Sequence, residues 1–231
     1  MAYAICTSHR SAKPALTTSL AILRAAYAWG VDPVTMADIK GYHSDSHSLS
    51  SGQVLPRPYK FKEARNVLFE MIDGLCSDMF SKGVVSPRFS WWVSYDYKSL
   101  EELPFYEGPV VLDFYGRLHP KHNNGTVKMP METNSVSTVA PLLLEAFDKK
   151  TDHRLLYRRL GIAAERVQAN PGFYQMNLFI DYERLAREKR LQGALGDIRS
   201  RYGPNAIFKG NNLLEGATQL ERNAQIGGHR A

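Results

Sequence analysis

Two incompatible hydrophobic periods follow one another between Val67 and Tyr97, and that succession restricts the chain to folds that set a helix against a sheet. Val67, Leu68, Met71, Ile72, Leu75 and Met79 recur at three- and four-residue steps, which gather on one face of a helix. Gly83 follows Lys82 and is suited to stop that helix. From Arg88 to Tyr97 the period becomes two. Phe89, Trp91, Val93 and Tyr95 fall on one side and Ser90, Trp92, Ser94 and Asp96 on the other, a half-buried strand.

The flanking segments extend this into a pattern. A first strand is expected over Leu49–Leu55. A strand pair is expected around Val110–Arg117 and Thr126–Glu132, joined at Asn124-Gly125, because both positions of a two-residue hairpin turn need positive φ. Ser135 or Asn134 can cap the next helix, whose Val139, Leu143 and Phe147 share a face, and Leu155–Ile162 reads as a closing strand. The order β-α-β-β-α-β predicts an α+β fold, a four-stranded antiparallel sheet with two helices on one face and helical N- and C-terminal extensions. The opposite face stays open to solvent or to a ligand, and the arrangement offers no catalytic cleft. Residues 1–46 read as an N-terminal extension and linker, with a weak helix from Leu16 to Trp29 and a turn-rich stretch after it. Residues 47–168 form the sheet domain. Residues 169–231 comprise a tether, a charged helix marked by Leu185, Leu191, Leu195, Ile198 and Tyr202 that ends near Gly203, and a polar, Gly-rich tail.

Composition narrows the function classes only a little. The 231 residues carry a formal charge of +6, spread along the chain, which suits a phosphate-binding surface and many ordinary soluble proteins alike. Cys6 and Cys76 make neither a zinc spacing nor a disulfide framework, so a reduced cytoplasmic compartment is expected. No apolar run reaches membrane-spanning length and the N-terminus lacks a signal-peptide core, so no membrane partner is expected. The Asn124-Gly125-Thr126 sequon is accordingly not read as a glycosylation site.

Three separated stretches carry a resemblance. SLSSGQVLPRPY at 48–59, RRLGIAA at 158–164, and QMNLF at 175–179 with EKRLQGALGDIRSRYGPNAIFKGNNLLEGATQLERNAQIGGHRA at 188–231 resemble the C-terminal part of bacterial Y-family, UmuC-like lesion-bypass DNA polymerases. The resemblance implies a little-finger DNA-binding domain over residues 47–168, followed by a sliding-clamp peptide, in a protein of DNA repair and the SOS response. It also implies that the catalytic palm, with its paired carboxylates and Mg²⁺ ions, belongs upstream. No Ser-x-Asp-Glu turn occurs here; Ser94-Tyr95-Asp96-Tyr97 lacks the second carboxylate, and Asp96 reads as a strand-end surface residue. The chain is therefore expected to have no catalytic residues, no cofactor and no metal site.

Two binding surfaces follow. Gln175, Met176, Leu178 and Phe179 fit the clamp pattern Gln-x-x-Leu-Phe, with two apolar anchors and a polar rim contact on a tether, or they pack that segment onto the domain. Ser48, Ser50 and Ser51, with Arg117, Lys121, Lys128, Arg158 and Arg159, offer hydroxyls and cations on several strands, which suits contact with the DNA backbone over base reading. Alternation lets only one of Arg158 and Arg159 face the open side. His119 and His122 supply too few ligands for a metal and read as a solvated or phosphate-facing loop. Of the adjacent Trp91 and Trp92, one is core and one lies on the open face, available to stack on a sugar or base or to pack. The expected function is a DNA-binding, clamp-docking unit; the alternative is a regulatory protein that occupies the clamp without touching DNA.

Overall fold

The structure is a computed structural model that describes residues 30, 35–41, 47–172, 181–226 and 229–230. The chain divides into two compact units, Met1–Asp45 and Ser46–Ala231. In the first, the stretch expected to be a linker contains α1 (Met36–Gly41). A reciprocal cap starts it, in which the Thr35 hydroxyl and backbone N–H both donate to Asp38 and the Asp38 N–H donates back to Thr35 Oγ1. The helix expected over Leu16–Trp29 lies outside the described residues.

The second unit is built on β1 (Ser48–Tyr59), α2 (Phe61–Ser81), β2 (Val84–Tyr95), β5 (Asn123–Thr133), α4 (Val136–Lys150) and β6 (Tyr157–Glu165), with α3 (Lys98–Glu102), β3 (Val110–Leu112) and β4 (Leu118–Pro120) inserted between β2 and β5. The four long strands pair antiparallel in the order β1-β6-β2-β5. Mixed α/β character with antiparallel pairing is as expected. The count of four strands is not, because β7 (Gln168–Ala169) adds a fifth by pairing with Val84 and Val85 at the start of β2.

The period switch is realised as read. α2 buries Val67, Leu68, Met71, Ile72, Leu75 and Met79, and β2 buries Phe89, Trp91, Val93 and Tyr95 against it. α4 lies beside α2 on the same face and contributes Val139, Leu143 and Phe147. Phe147 meets the Trp91 ring edge-on at 5.2 Å. Gly83 follows the end of α2 with φ 64°, a left-handed position where a Cβ is costly. Cys76 is enclosed in this core, and burial pushes its thiol well up, so it behaves as a small hydrophobe.

The hairpin assignment is corrected. Asn124-Gly125 is not a turn; it lies inside β5, opposite Trp92 and Trp91. Gly125 is needed for space, since a Cβ there would sit 2.7 Å from the Trp91 ring. The real hairpin joins β3 to β4 through Asp113–Arg117. Gly116 takes φ 76° there, and Asp113 Oδ1 accepts from the backbone N–H of Tyr115 and Arg117, an Asx turn.

The described residues beyond 168 are more structured than their composition suggests. α5 (Tyr182–Tyr202) ends at Gly203, as its charged periodicity predicts. Its Glu188 does what Ser135 was expected to do at the start of α4. Ser135 makes no side-chain cap. Glu188 instead accepts the Ser135 and Ser137 hydroxyls at 2.6 and 2.5 Å and the Ser137 N–H at 3.1 Å. The expected tail holds a 3-10 turn (Gly210–Leu213), α6 (Gln219–Asn223), and the short pair β8 (Gln225–Ile226) and β9 (His229–Arg230). Polar contacts hold this segment on α2 and β1. Lys209 Nζ lies 2.5 Å from Asp73, Asn66 donates to the Asn211 carbonyl, and the Thr218 N–H donates to the buried Glu70 carboxylate.

Candidate nucleic-acid interface

The sheet face opposite the two helices is open, and the strand registers arrange it as four rows that run across the strands. Ser48, Glu165, Arg88 and Lys128 form the first row; Ser50, Ala163, Ser90 and Thr126 the second; Gly52, Gly161, Trp92 and Asn124 the third; and Val54, Arg159 and Ser94 the fourth. Apart from Gly161, which is buried, they are more exposed than the residues between them, the period-two consequence of the pleat.

The anticipated backbone-binding residues separate into three groups. Ser48, Ser50, Lys128 and Arg159 stand on the open face. Ser51 does not; it points to the helix side, where Arg222 Nη2 donates to its hydroxyl at 3.3 Å. Arg117, Lys121 and Arg158 lie off the four rows. Arg117 is held in the β3–β4 turn by Asp113 at 2.7 Å and lies over the Tyr97 ring at 4.8 Å. Lys121 is an exposed residue between β4 and β5.

The two adjacent arginines have different fates. The pairing of β6 shifts between Tyr157 and Arg159, so Arg158 sits in a bulge. Its guanidinium donates to the Leu55 carbonyl at 2.5 Å and lies 3.8 Å from Asp96. Arg159 projects from the open face and forms no salt bridge among the described residues, and the same holds for Lys128 and Lys121. Arg88, by contrast, is 3.9 Å from Glu165. Charge already neutralised by a carboxylate releases little when a phosphate arrives, so Arg159 and Lys128 are the strongest candidates on this face.

Asp96 is corrected from a surface residue to a buried one, 7% exposed. Its Oδ1 accepts the Lys98 N–H at 3.0 Å, which ties off the start of α3. Beyond the Arg159 end of the sheet a cleft is lined by Arg57, Lys98, Arg117, His119, His122 and Arg158 among others. Arg57 there is held by Glu63. The two imidazoles are 5.8 Å apart, and His119 Nδ1 contacts the Pro120 carbonyl. Among the described residues no group of three His, Cys, Asp or Glu side chains comes together as a metal site.

Sequence reasoning missed the cationic lining supplied by Arg57 and Lys98, which lie just past the fourth-row residues Val54 and Ser94, where the strands run out into the cleft. It also missed the β3–β4 tip, where Phe114 and Tyr115 are exposed. The segment with Gln175, Met176, Leu178 and Phe179 lies outside the described residues. Among the described residues no helix is long and apolar enough to cross a membrane.

Over 204 residues, 87% of this chain, the sequence is 28% identical to DNA polymerase IV 2 of Bacillus subtilis (strain 168). The chain is similar to a Y-family DNA polymerase. It spans 43% of that relative's length. No family model matches the chain. A solved structure of Dbh DNA polymerase, a post-insertion binary complex, shares a loose likeness with a TM-score of 0.34 and 13% identity, over 66% of this chain and 37% of that one.

Proposed function

We propose that this chain holds the sugar-phosphate backbone of primer-template DNA on its open sheet face and docks on a bacterial sliding clamp through Gln175, Met176, Leu178 and Phe179, as a noncatalytic unit in lesion bypass. The observation that carries the DNA part is the pairing pattern of the cations. Arg159 and Lys128 stand on one exposed, hydroxyl-rich face without carboxylate partners among the described residues, while Arg88, Arg117 and Arg158 are engaged. The 28% identity with a DNA polymerase over most of the chain supports the same ligand. At a strand rise of about 3.3 Å per residue, the six residue steps along β2 from Arg88 in the first row to Ser94 in the fourth span roughly 20 Å. That is about six steps of a duplex at 3.4 Å each, so the face suits several consecutive phosphates. Its short hydroxyls and lone cations form no bidentate fork for base edges, which favours sequence-tolerant binding.

The clamp part rests on the Gln-x-x-Leu-Phe spacing and on its place after β7. Nucleotidyl transfer is not assigned to this chain, because the cleft carboxylates are already engaged, Asp96 by the Lys98 N–H and Arg158, and Asp113 by Arg117. Titration of a bacterial sliding clamp tests the docking peptide. Leu178→Ala with Phe179→Ala removes two anchors worth on the order of 1–3 kcal/mol each and is expected to weaken clamp binding at least about tenfold. Equal affinities for wild type and double variant would remove the peptide from the account. Clamp binding without any binding to labelled primer-template DNA would favour a clamp-occupying regulatory protein instead.

A further inference from the structure

We propose that the Trp92 indole is a stacking platform for an unpaired nucleobase, so that the open face takes single-stranded DNA as well as duplex backbone. The inference rests on the DNA-binding reading above and adds the strand state of the ligand and the residue that senses it.

Trp92 stands in the third row of the open face and is 42% exposed. Its neighbour on β6 is Gly161, and the next position across, on β1, is Gly52. A Cβ on Gly161 would fall 2.1 Å from the indole Cε2 and Nε1, and one on Gly52 would fall 3.4 Å from Cζ2. The indole therefore reaches across the bare backbones of β6 and β1, and much of it stays open to solvent. A side chain at position 161 would lift it off the sheet. Two glycines in register beneath one exposed indole are costly in a strand interior, since each gives up packing and backbone entropy. They are explained if the placement of the ring over the open face is the feature that matters.

The surroundings choose the ligand. The second row borders the indole with Ser50, Ser90 and Thr126, short hydroxyls that leave the ring face clear; the fourth places Arg159 and Ser94 on the other side. Apart from Val54, the rows hold no other large apolar side chain, so a protein partner would find one aromatic ring in a polar, cationic field. A nucleotide matches better, because it joins a flat aromatic group to an anion. Adjacent rows are roughly 6.6 Å apart, which lets a base sit on Trp92 while its phosphate meets Arg159. Bases inside a duplex have both faces occupied by their neighbours, so an unpaired base is required, and stacking on an indole is tolerant of sequence.

Fluorescence anisotropy with labelled oligo-dT and with a blunt duplex of the same length tests the proposal on the full chain. Trp92→Ala is expected to weaken oligo-dT binding about fivefold or more and duplex binding by less than about twofold. Trp92→Phe should retain most of the affinity. Gly161→Ala should lose affinity for oligo-dT although it keeps the indole. Quenching of tryptophan emission by oligo-dT, present in wild type and reduced in Trp92→Phe, gives a readout that does not depend on the folding of the alanine variant. If wild type and Trp92→Ala bind oligo-dT equally, or if Trp92→Ala loses oligo-dT and duplex to the same extent, the platform is overturned while DNA binding stands. If wild type binds neither DNA, both readings fall.

Discussion

Trp91 and Trp92 are adjacent in one strand, yet Trp91 is 1% exposed and Trp92 42%. Alternation foresaw that split but not which glycines it would require. Gly125 gives up its side chain to the Trp91 ring on the core side, and Gly161 gives up its own to Trp92 on the open side. Gly125→Ala would place a methyl 2.7 Å from a ring that is wedged against Phe147. Overpacking of this kind costs about 1–3 kcal/mol, so thermal melting should show a drop of several degrees, on the order of 2–4 °C per kcal/mol at this chain size. An unchanged midpoint would mean that the Trp91 site can relax. The same residue explains a misreading. Asn-Gly is a strong turn signal because of what it permits for φ, but at 124–125 the glycine serves a steric need that exists only once β2 and β5 are paired. Arg158 and Arg159 divide for a comparable reason, since the bulge that turns Arg158 toward Leu55 and Asp96 leaves no trace in the local sequence.

Among the elements, α2 and β2 were legible because each repeats one period over several turns or pleats, and burial enforces that period. The link between α4 and α5 was not, because its contacts join residues more than fifty positions apart. Burial works against ionisation of Glu188, but the hydroxyls of Ser135 and Ser137 and the N–H groups of Ser137 and Val136 outweigh it and hold the carboxyl below its usual range. The fold therefore binds this proton more weakly than the unfolded chain does. Its stabilisation is present above the ordinary glutamate range and is lost as pH falls through the lowered value. Glu188→Ala should cost about 0.5–2 kcal/mol at neutral pH, the usual range for a lost helix cap. The gap to wild type should close on acidification when both are followed by thermal melting. A gap that stays constant with pH would show that the lost contact is packing and not the charged cap.

The C-terminal segment closes over α2 and the β1 edge through polar contacts, and one of these carries a burial cost of opposite sign. Burial raises the Glu70 carboxyl above its usual range, with the N–H groups of Thr218 and Gln219 and the Arg222 charge only partly restoring it. The folded state favours the protonated form, so this group's contribution to stability falls as pH rises from the glutamate range through the raised value. Glu70→Gln removes the titration, and its advantage over wild type in melting temperature should be larger at neutral pH than in mild acid; the reverse trend would contradict the assignment. A Gly-rich, polar sequence gave no hint of this closure, because the partners Glu70 and Asp73 lie on a helix whose apolar face alone is periodic. On the opposite side of the sheet, anisotropy of labelled duplex DNA across a salt series reads the backbone contacts themselves. Each phosphate contact contributes about −0.9 to the slope of log affinity against log salt. Arg159→Ala with Lys128→Ala should make the wild-type slope shallower by two such contributions, about 1.8, while Arg158→Ala, whose charge is already engaged, should leave it close to wild type. Absence of wild-type binding at low salt, or a double-variant slope equal to wild type, would contradict the account.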